Sequence, residues 1–251
     1  MGTLKRKAGR LIALLFGNAT KAKIGDYIQQ RKMSGLSRQE KFEYIYRNRI
    51  WGDAEFDSGE GSADVNAASY VSAISRYMLD NNIRSVVDIG CGDFRVGRKI
   101  IESVPSLKYM GIDIAEPLIA RNQSSFGSAN ISFLQLDVVE QVPPKADVYL
   151  VREVLQHLSN ADVARALKNI SGNVIVTEVL PHNYESAEFV PNIDIASGHM
   201  TRVEGSSGLL LTKPPFSLQA EILLSVPSES DPSKHLLSLL VRHPSGQFAT
   251  S

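Results

Sequence analysis

The chain has 251 residues, with 27 basic side chains against 27 acidic ones, 43% hydrophobic and 22% charged content, and one cysteine. This length supports one sizeable core with appendages, and the composition is ordinary for a globular protein, so disorder of the whole chain is excluded. Zero net charge offers no global basic field for nucleic acid, while a lone Cys91 rules out an intrachain disulfide and a multi-thiolate zinc site and suits a reducing cytoplasm.

Lys5, Arg6, Lys7, Arg10, Lys21 and Lys23 all precede the first acid, Asp26. The apolar run Leu11 to Phe16 is too short for a signal sequence or a spanning helix, so two readings stay open. Residues 1–24 lie on an anionic membrane as a peripheral helix, or they pack on the core with a solvated basic face. Gly2 does not meet the myristoylation pattern, because Arg6 stands at the hydroxyl position. Residues 1–35 are therefore taken as a basic amphipathic segment, 36–82 as a helical cap with a glycine loop, and 83–251 as the core. In the cap, Ser37-Arg38-Gln39-Glu40 is a capping box that starts a helix running to about Ile50. Gly52, Gly59 and Gly61 then punctuate an acidic loop that either closes over a ligand or simply connects. Asp64 opens a second helix, whose Ala67, Val71, Ile74 and Met78 recur at helical spacing and should pack beneath the first strand.

That strand is the apolar run Val86, Val87, Ile89, followed by Gly90-Cys91-Gly92, a turn where the backbone can approach a ligand without a Cβ in the way. Asp88 and Asp93 flank the turn, and the next glycine is Gly97, so the dinucleotide spacing G-x-G-x-x-G fails. Acids here would repel a pyrophosphate and suit an uncharged or cationic ligand. Tyr109 to Ile114 reads as a second strand ending in Asp113, a carboxylate placed to receive both hydroxyls of a ribose. Ser132 to Val138 reads as a third strand with Asp137 near its end, and the segment Ala146 to Leu158 carries a fourth. Helices are expected over 94–104, 116–124 and 160–170, and a fifth strand over Val174 to Val179. From Pro181 to Phe216 proline, glycine, asparagine and serine break the pattern, which marks 181–216 as a lid-like insertion. Glu221 to Val226 and Leu236 to Val241 read as the closing strands.

Val87-Asp88-Ile89-Gly90-Cys91-Gly92-Asp93 resembles the first motif of class I S-adenosylmethionine-dependent methyltransferases, and three later motifs occur in the family's order between Ile83 and Val179. The resemblance implies a Rossmann-like, doubly wound, mostly parallel seven-stranded α/β sheet with an antiparallel edge strand, where the two closing strands form an antiparallel pair. It also implies S-adenosyl-L-methionine as cofactor, with Gly90 and Gly92 around the methionine moiety, Asp113 at the ribose, and Asp137 with Val138 at the adenine. Asp88, Asp93, Ile114 and Arg152 complete the expected cofactor set, although Arg152 could equally hold an acidic substrate group or pair with Glu153. Trp51-Gly52, the turn Ser58 to Ser62, and Val154 to Ser159 further resemble a bacterial subgroup of unassigned substrate.

Methyl transfer to a hydroxyl or ammonium needs a group that removes a proton. His157, just beyond the fourth strand's ligand-facing end, is the candidate base with Glu153 beside it, and His182 and His199 are alternatives. His157 could instead serve only to cap and pack the next helix. Cys91 reads as packing, and Asp88, Asp113 and Asp137 on separate strand ends suit ribose and adenine better than a metal. The leading expectation is methyl transfer to oxygen or nitrogen of a small molecule or glycan. A nicotinamide-dependent oxidoreductase is disfavoured by the missing third glycine and by the acids at the turn, and a non-catalytic cofactor-binding protein is the remaining alternative. Oligomeric state is not legible.

Overall fold

Val86, Val87 and Ile89 are each at most 2% exposed, because β1 (Ser85–Ile89) runs through the middle of a sheet covered on both faces. The computed structural model describes residues 18–53, 56–62, 64–229 and 231–247. They fall into two compact units, Met1–Ser37 and Arg38–Ser251. In the first, α1 (Asn18–Lys32) ends on Arg31 and Lys32, cations that suit the negative end of a helix dipole. Of residues 1–24, on which the peripheral-membrane reading rests, 1–17 lie outside the described residues. Among those described, no helix is long and apolar enough to cross a membrane.

The second unit opens with α2 (Arg38–Arg47) and α3 (Asp64–Asp80). Next come β1, α4 (Arg95–Ser103), β2 (Lys108–Asp113), α5 (Glu116–Phe126), β3 (Ile131–Gln135) and β4 (Val148–Arg152). The chain continues through α6 (Asn160–Asn169), β5 (Val174–Pro181), β6 (Ala220–Pro227), β7 (Lys234–Val241) and the short α7 (Pro244–Gln247). One seven-stranded sheet results, in the order β3-β2-β1-β4-β5-β7-β6. The first five strands are mutually parallel, as helical crossovers require. β7 runs against β5 and β6 and lies one place in from the edge, so the expected antiparallel pair closes the sheet.

On one face Ala67, Tyr70, Ile74 and Met78 of α3 pack with Val86, Leu150 and Ile175, the arrangement expected of that helix. Beyond the same strands Phe94 sits 5.1 Å from Tyr109 and 5.0 Å from Phe133, ring to ring. Two stretches depart from the sequence reading. β3 stops at Gln135 instead of running to Val138, because Asp137 starts a turn: its Oδ1 accepts the Val139 amide at 3.0 Å and its carbonyl accepts the Gln141 amide at 2.9 Å. Residues 181–216 hold no strand beyond the end of β5, yet Asn192, Arg202, Ser207 and Leu209 to Leu211 are buried. Side chains there do what a ladder would do, since Asn192 receives the Leu210 amide at 2.8 Å and donates to the carbonyls of Leu210 and Pro214 at 3.0 and 2.8 Å.

Leu150 is fully buried at the sheet centre, whereas Ile222 on the edge strand is 62% exposed. Leu150→Ala should lower the unfolding free energy by about 2–5 kcal/mol. Ile222→Ala should stay within about 0.5 kcal/mol of the parent, with urea midpoints as the measure.

Candidate functional site

The strand order reverses beside β1, and there the carboxyl ends of β1 and β4 part to leave a crevice. The turn leaving β1 is bound to its neighbour: the Gly90 and Cys91 amides both donate to the Ile112 carbonyl, at 2.7 and 3.0 Å. Gly90 and Gly92 have φ of 71° and 54°, a region that side chains resist. Space forbids a side chain too. A Cβ on Gly90 would stand 2.3 Å from Val154 Cγ2, and one on Gly92 would stand 2.2 Å from Ser58 Oγ. The turn ends at Phe94, itself left-handed at φ 67° and only 2% exposed. Its ring, anchored in the aromatic cluster, holds the strained residue in place.

Four acids expected at the site take different places. Asp113, 6% exposed, accepts the Gly92 amide at 3.3 Å and the Ala115 amide at 3.1 Å, so it bridges the glycine turn and the start of α5. Asp88, 8% exposed, receives the Tyr109 hydroxyl at 2.5 Å. Burial pushes both carboxyls up to about 6 despite these donors. Asp93 is turned to its own helix, accepting the Arg95 amide at 3.0 Å and pairing with the Arg95 guanidinium at 2.5 Å. Asp137 is gripped by Arg38 at 3.0 Å, and the same guanidinium reaches Glu140 at 2.7 Å and Asp162 at 3.1 Å. Among the described residues no three His, Cys, Asp or Glu side chains are placed to hold a metal ion.

A cavity of about 900 Å³ opens over this edge. Asp88, Gly90, Gly92, Asp93, Asp113, Ile114, Asp137, Val138, Arg152, Glu153 and His157 all line it, as do His182 and His199. Arg152 is engaged on the protein: its guanidinium donates to the Gly61 carbonyl at 2.7 Å, meets Glu153 at 2.7 Å and lies 5.1 Å from the centre of the Tyr70 ring. Glu153 has φ 55°, and a Cβ on Gly61 would stand 2.2 Å from its Oε2. Loop and strand end are therefore closely packed.

His157 sits in a 3₁₀ turn (Leu155–His157) directly after β4. Its Nδ1–H donates to the Met200 carbonyl at 3.2 Å, and that bond assigns the tautomer, leaving Nε2 as an acceptor. Its ring centre lies 4.9 Å from that of Trp51. Burial drops its pKa to about 4, so the imidazole is neutral at neutral pH.

Sequence reasoning missed several contributors. Ser58 receives the Asp93 amide at 2.8 Å, and Asp57 meets Arg95 at 3.3 Å, so the glycine loop lies directly on the β1 turn. Tyr46 of α2 stacks edge-on to Trp51 at 5.4 Å and lines the cavity. Gln156, 6% exposed, also lines it, with an Oε1 that finds no partner. Arg202 contacts the turn from beneath. Only the loop's glycines hinted at such closeness; the others read as ordinary helix or loop residues.

Residues 87–174 match the family described as a methyltransferase domain. Among curated proteins the chain is similar to cephaeline 6'-O-methyltransferase of Carapichea ipecacuanha, 28% identical over 57% of this chain and 36% of that one. It is also similar to phenazine-1-carboxylate N-methyltransferase of Pseudomonas aeruginosa, 29% identical over 40% of this chain and 33% of that one. The chain thus spans well under two thirds of the length of such relatives. Its fold is that of the N-methyltransferase NodS of Bradyrhizobium japonicum, solved with S-adenosyl-L-homocysteine, at a TM-score of 0.54 and 13% identity over 80% of this chain and 98% of that one.

Asp113 titrates near 6 in the folded protein against an ordinary 3.8, so folding favours its protonated form. Its stabilising share is complete below about pH 4 and is lost as the pH climbs through about 6. Asp113→Asn cannot ionise and escapes that loss. In ligand-free urea titrations, the stability of the variant minus that of the parent should rise by up to about 3 kcal/mol between about pH 4 and 6, then level off. A flat difference would mean that the carboxylate ionises at no cost.

Proposed function

We propose that this chain is a class I S-adenosylmethionine-dependent methyltransferase that moves the methyl group of S-adenosylmethionine to an oxygen or nitrogen of a small molecule. The observation that carries the reading is the buried Asp113 carboxylate at the end of β2, hydrogen-bonded to a glycine turn that leaves no room for a Cβ. The donor set fits the cofactor. Asp113 would receive the ribose hydroxyls, with Ile114 beside it, while Gly90 and Gly92 let the backbone approach the amino-acid end. Asp137 and Val138, on the turn after β3, would meet the adenine. Asp88 would add negative potential near a cationic ligand, Asp93 shapes the turn while paired with Arg95, and Arg152 acts mainly by holding the loop at Gly61.

When bound, the cofactor supplies a methyl group made electrophilic by its sulfonium. The chain's own task is to orient an acceptor, exclude water and take its proton. Neutral His157 Nε2 is the group best prepared for that, and Glu153, paired with Arg152, is the second candidate. The cephaeline and phenazine-1-carboxylate named in the relatives support a small-molecule acceptor, and a glycan stays within the reading. The single cysteine agrees with a cytoplasmic setting, to which residues 1–24 would add a peripheral contact with an anionic membrane.

Calorimetric titration with S-adenosylhomocysteine, followed by a labelled-methyl screen over hydroxyl- and amine-bearing small molecules, tests the reading. Absence of any cofactor binding would sink it. Asp113→Ala should weaken cofactor binding by about 10–100-fold, the worth of hydrogen bonds to a charged group, with the fold retained by circular dichroism. His157→Ala should cut turnover by about 10²–10⁴-fold while cofactor affinity stays within a few-fold. Because His157 is already neutral at pH values well above 4, the parent's rate should be flat from about pH 6 upward as far as this group is concerned and should fall only in acid.

A further inference from the structure

The turn that carries His157 is gripped from two sides. Arg202, only 1% exposed, spreads its guanidinium beneath it. Nη1 donates to the carbonyls of Leu155 and Gln156 at 3.4 and 3.2 Å, and Nη2 donates to the Leu158 carbonyl and to Asn160 Oδ1, both at 2.7 Å. Nε donates to the Ile193 carbonyl at 3.0 Å. From β5, Glu178 accepts the Leu155 amide at 3.0 Å. The segment around Arg202 also meets His157 itself: the Gly198 amide donates to the His157 carbonyl at 3.0 Å, and Met200 receives the ring proton.

Such a site is a poor way to gain stability. A buried guanidinium carries a desolvation cost that an apolar side chain of similar volume avoids, and none of the acceptors just named is a carboxylate. What the planar fork does provide is direction, since carbonyls of the turn and the backbone of 193–202 are fixed against one another. We propose that Arg202 is a positioning residue, which locks the His157 ring against the Met200 carbonyl and so keeps its proton on Nδ1 and its Nε2 lone pair available. The catalytic meaning of this lock rests on His157 as proton acceptor; the lock itself does not. Around the ring stand His199 and Arg202 from the same segment and Trp51 from the loop.

Long-range ¹⁵N–¹H NMR of the histidine-labelled full chain, without cofactor, reads the lock directly. In the parent, His157 should stay neutral with its proton on Nδ1 between about pH 5.5 and 8. Arg202→Lys keeps the charge and loses the fork. In that variant the proton should move chiefly to Nε2, and the pKa should climb from about 4 toward 6.5. Asn160→Ala removes one acceptor of Arg202 and should give the same changes to a smaller degree, so it serves if the lysine variant does not fold. A folded Arg202→Lys protein with the parental tautomer and titration overturns the proposal, as does an unchanged Asn160→Ala protein where only that variant folds. Normal turnover in His157→Ala, beside a changed tautomer in Arg202→Lys, would remove the base and leave the lock standing.

Discussion

Everything at the carboxyl edge of the sheet depends on how the chain leaves β1. A parallel strand buried on both faces has to turn away while its neighbours stay hydrogen-bonded, and here it turns within reach of the last carbonyls of β2. Two left-handed residues in three allow that, and glycine at both keeps the surface of the turn bare. Because the turn is bare, Val154 and Ser58 can close to distances that any side chain would prevent. The crevice at the reversal of strand order, the burial of Asp113 and the seating of the glycine loop all follow from this turn.

Burial then sets the electrostatics. Asp88 and Asp113 lie under the same edge and lean mainly on hydrogen-bond donors: a tyrosine hydroxyl for Asp88, which also feels the Arg152 charge, and two backbone amides for Asp113. The donors reduce the desolvation penalty without removing it, which is why both carboxyls titrate near 6. A ligand that brings hydroxyl groups and a positive charge would stabilise their ionised forms, so the edge is electrostatically suited to such a molecule. Asp93 and Asp137 differ because Arg95 and Arg38 already neutralise them.

The other wall is built from irregular chain. Residues 56–62 and 192–211 have few ladder bonds of their own and are held by side chains reaching across large sequence separations, Arg152 to Gly61 and Arg202 to the turn after β4 among them. Long polar side chains bonded to backbone carbonyls let two segments without regular structure form a defined cavity wall. Glu178, pushed well above the usual carboxylate range by burial and by nearby Glu153, completes the support by accepting the Leu155 amide.

Period and punctuation in the sequence determined the alternation of strands and helices. Val86, Val87 and Ile89 could only be a buried strand, Gly90 and Gly92 only a tight turn, and Asp113 only a strand-terminal acid, because these depend on neighbours within a few residues. The sequence reading of β3 runs three residues too long because a strand and an aspartate-led turn share the same apolar composition until the turn's hydrogen bonds are seen. What the tertiary structure alone decided is which acids stay unpaired, which face of His157 is engaged, and that Arg202 supports it. Arg38 lies 99 positions from Asp137, and Arg202 lies 44 positions from Leu158. Pairings at such separations are set by how the elements pack, and no local pattern encodes them.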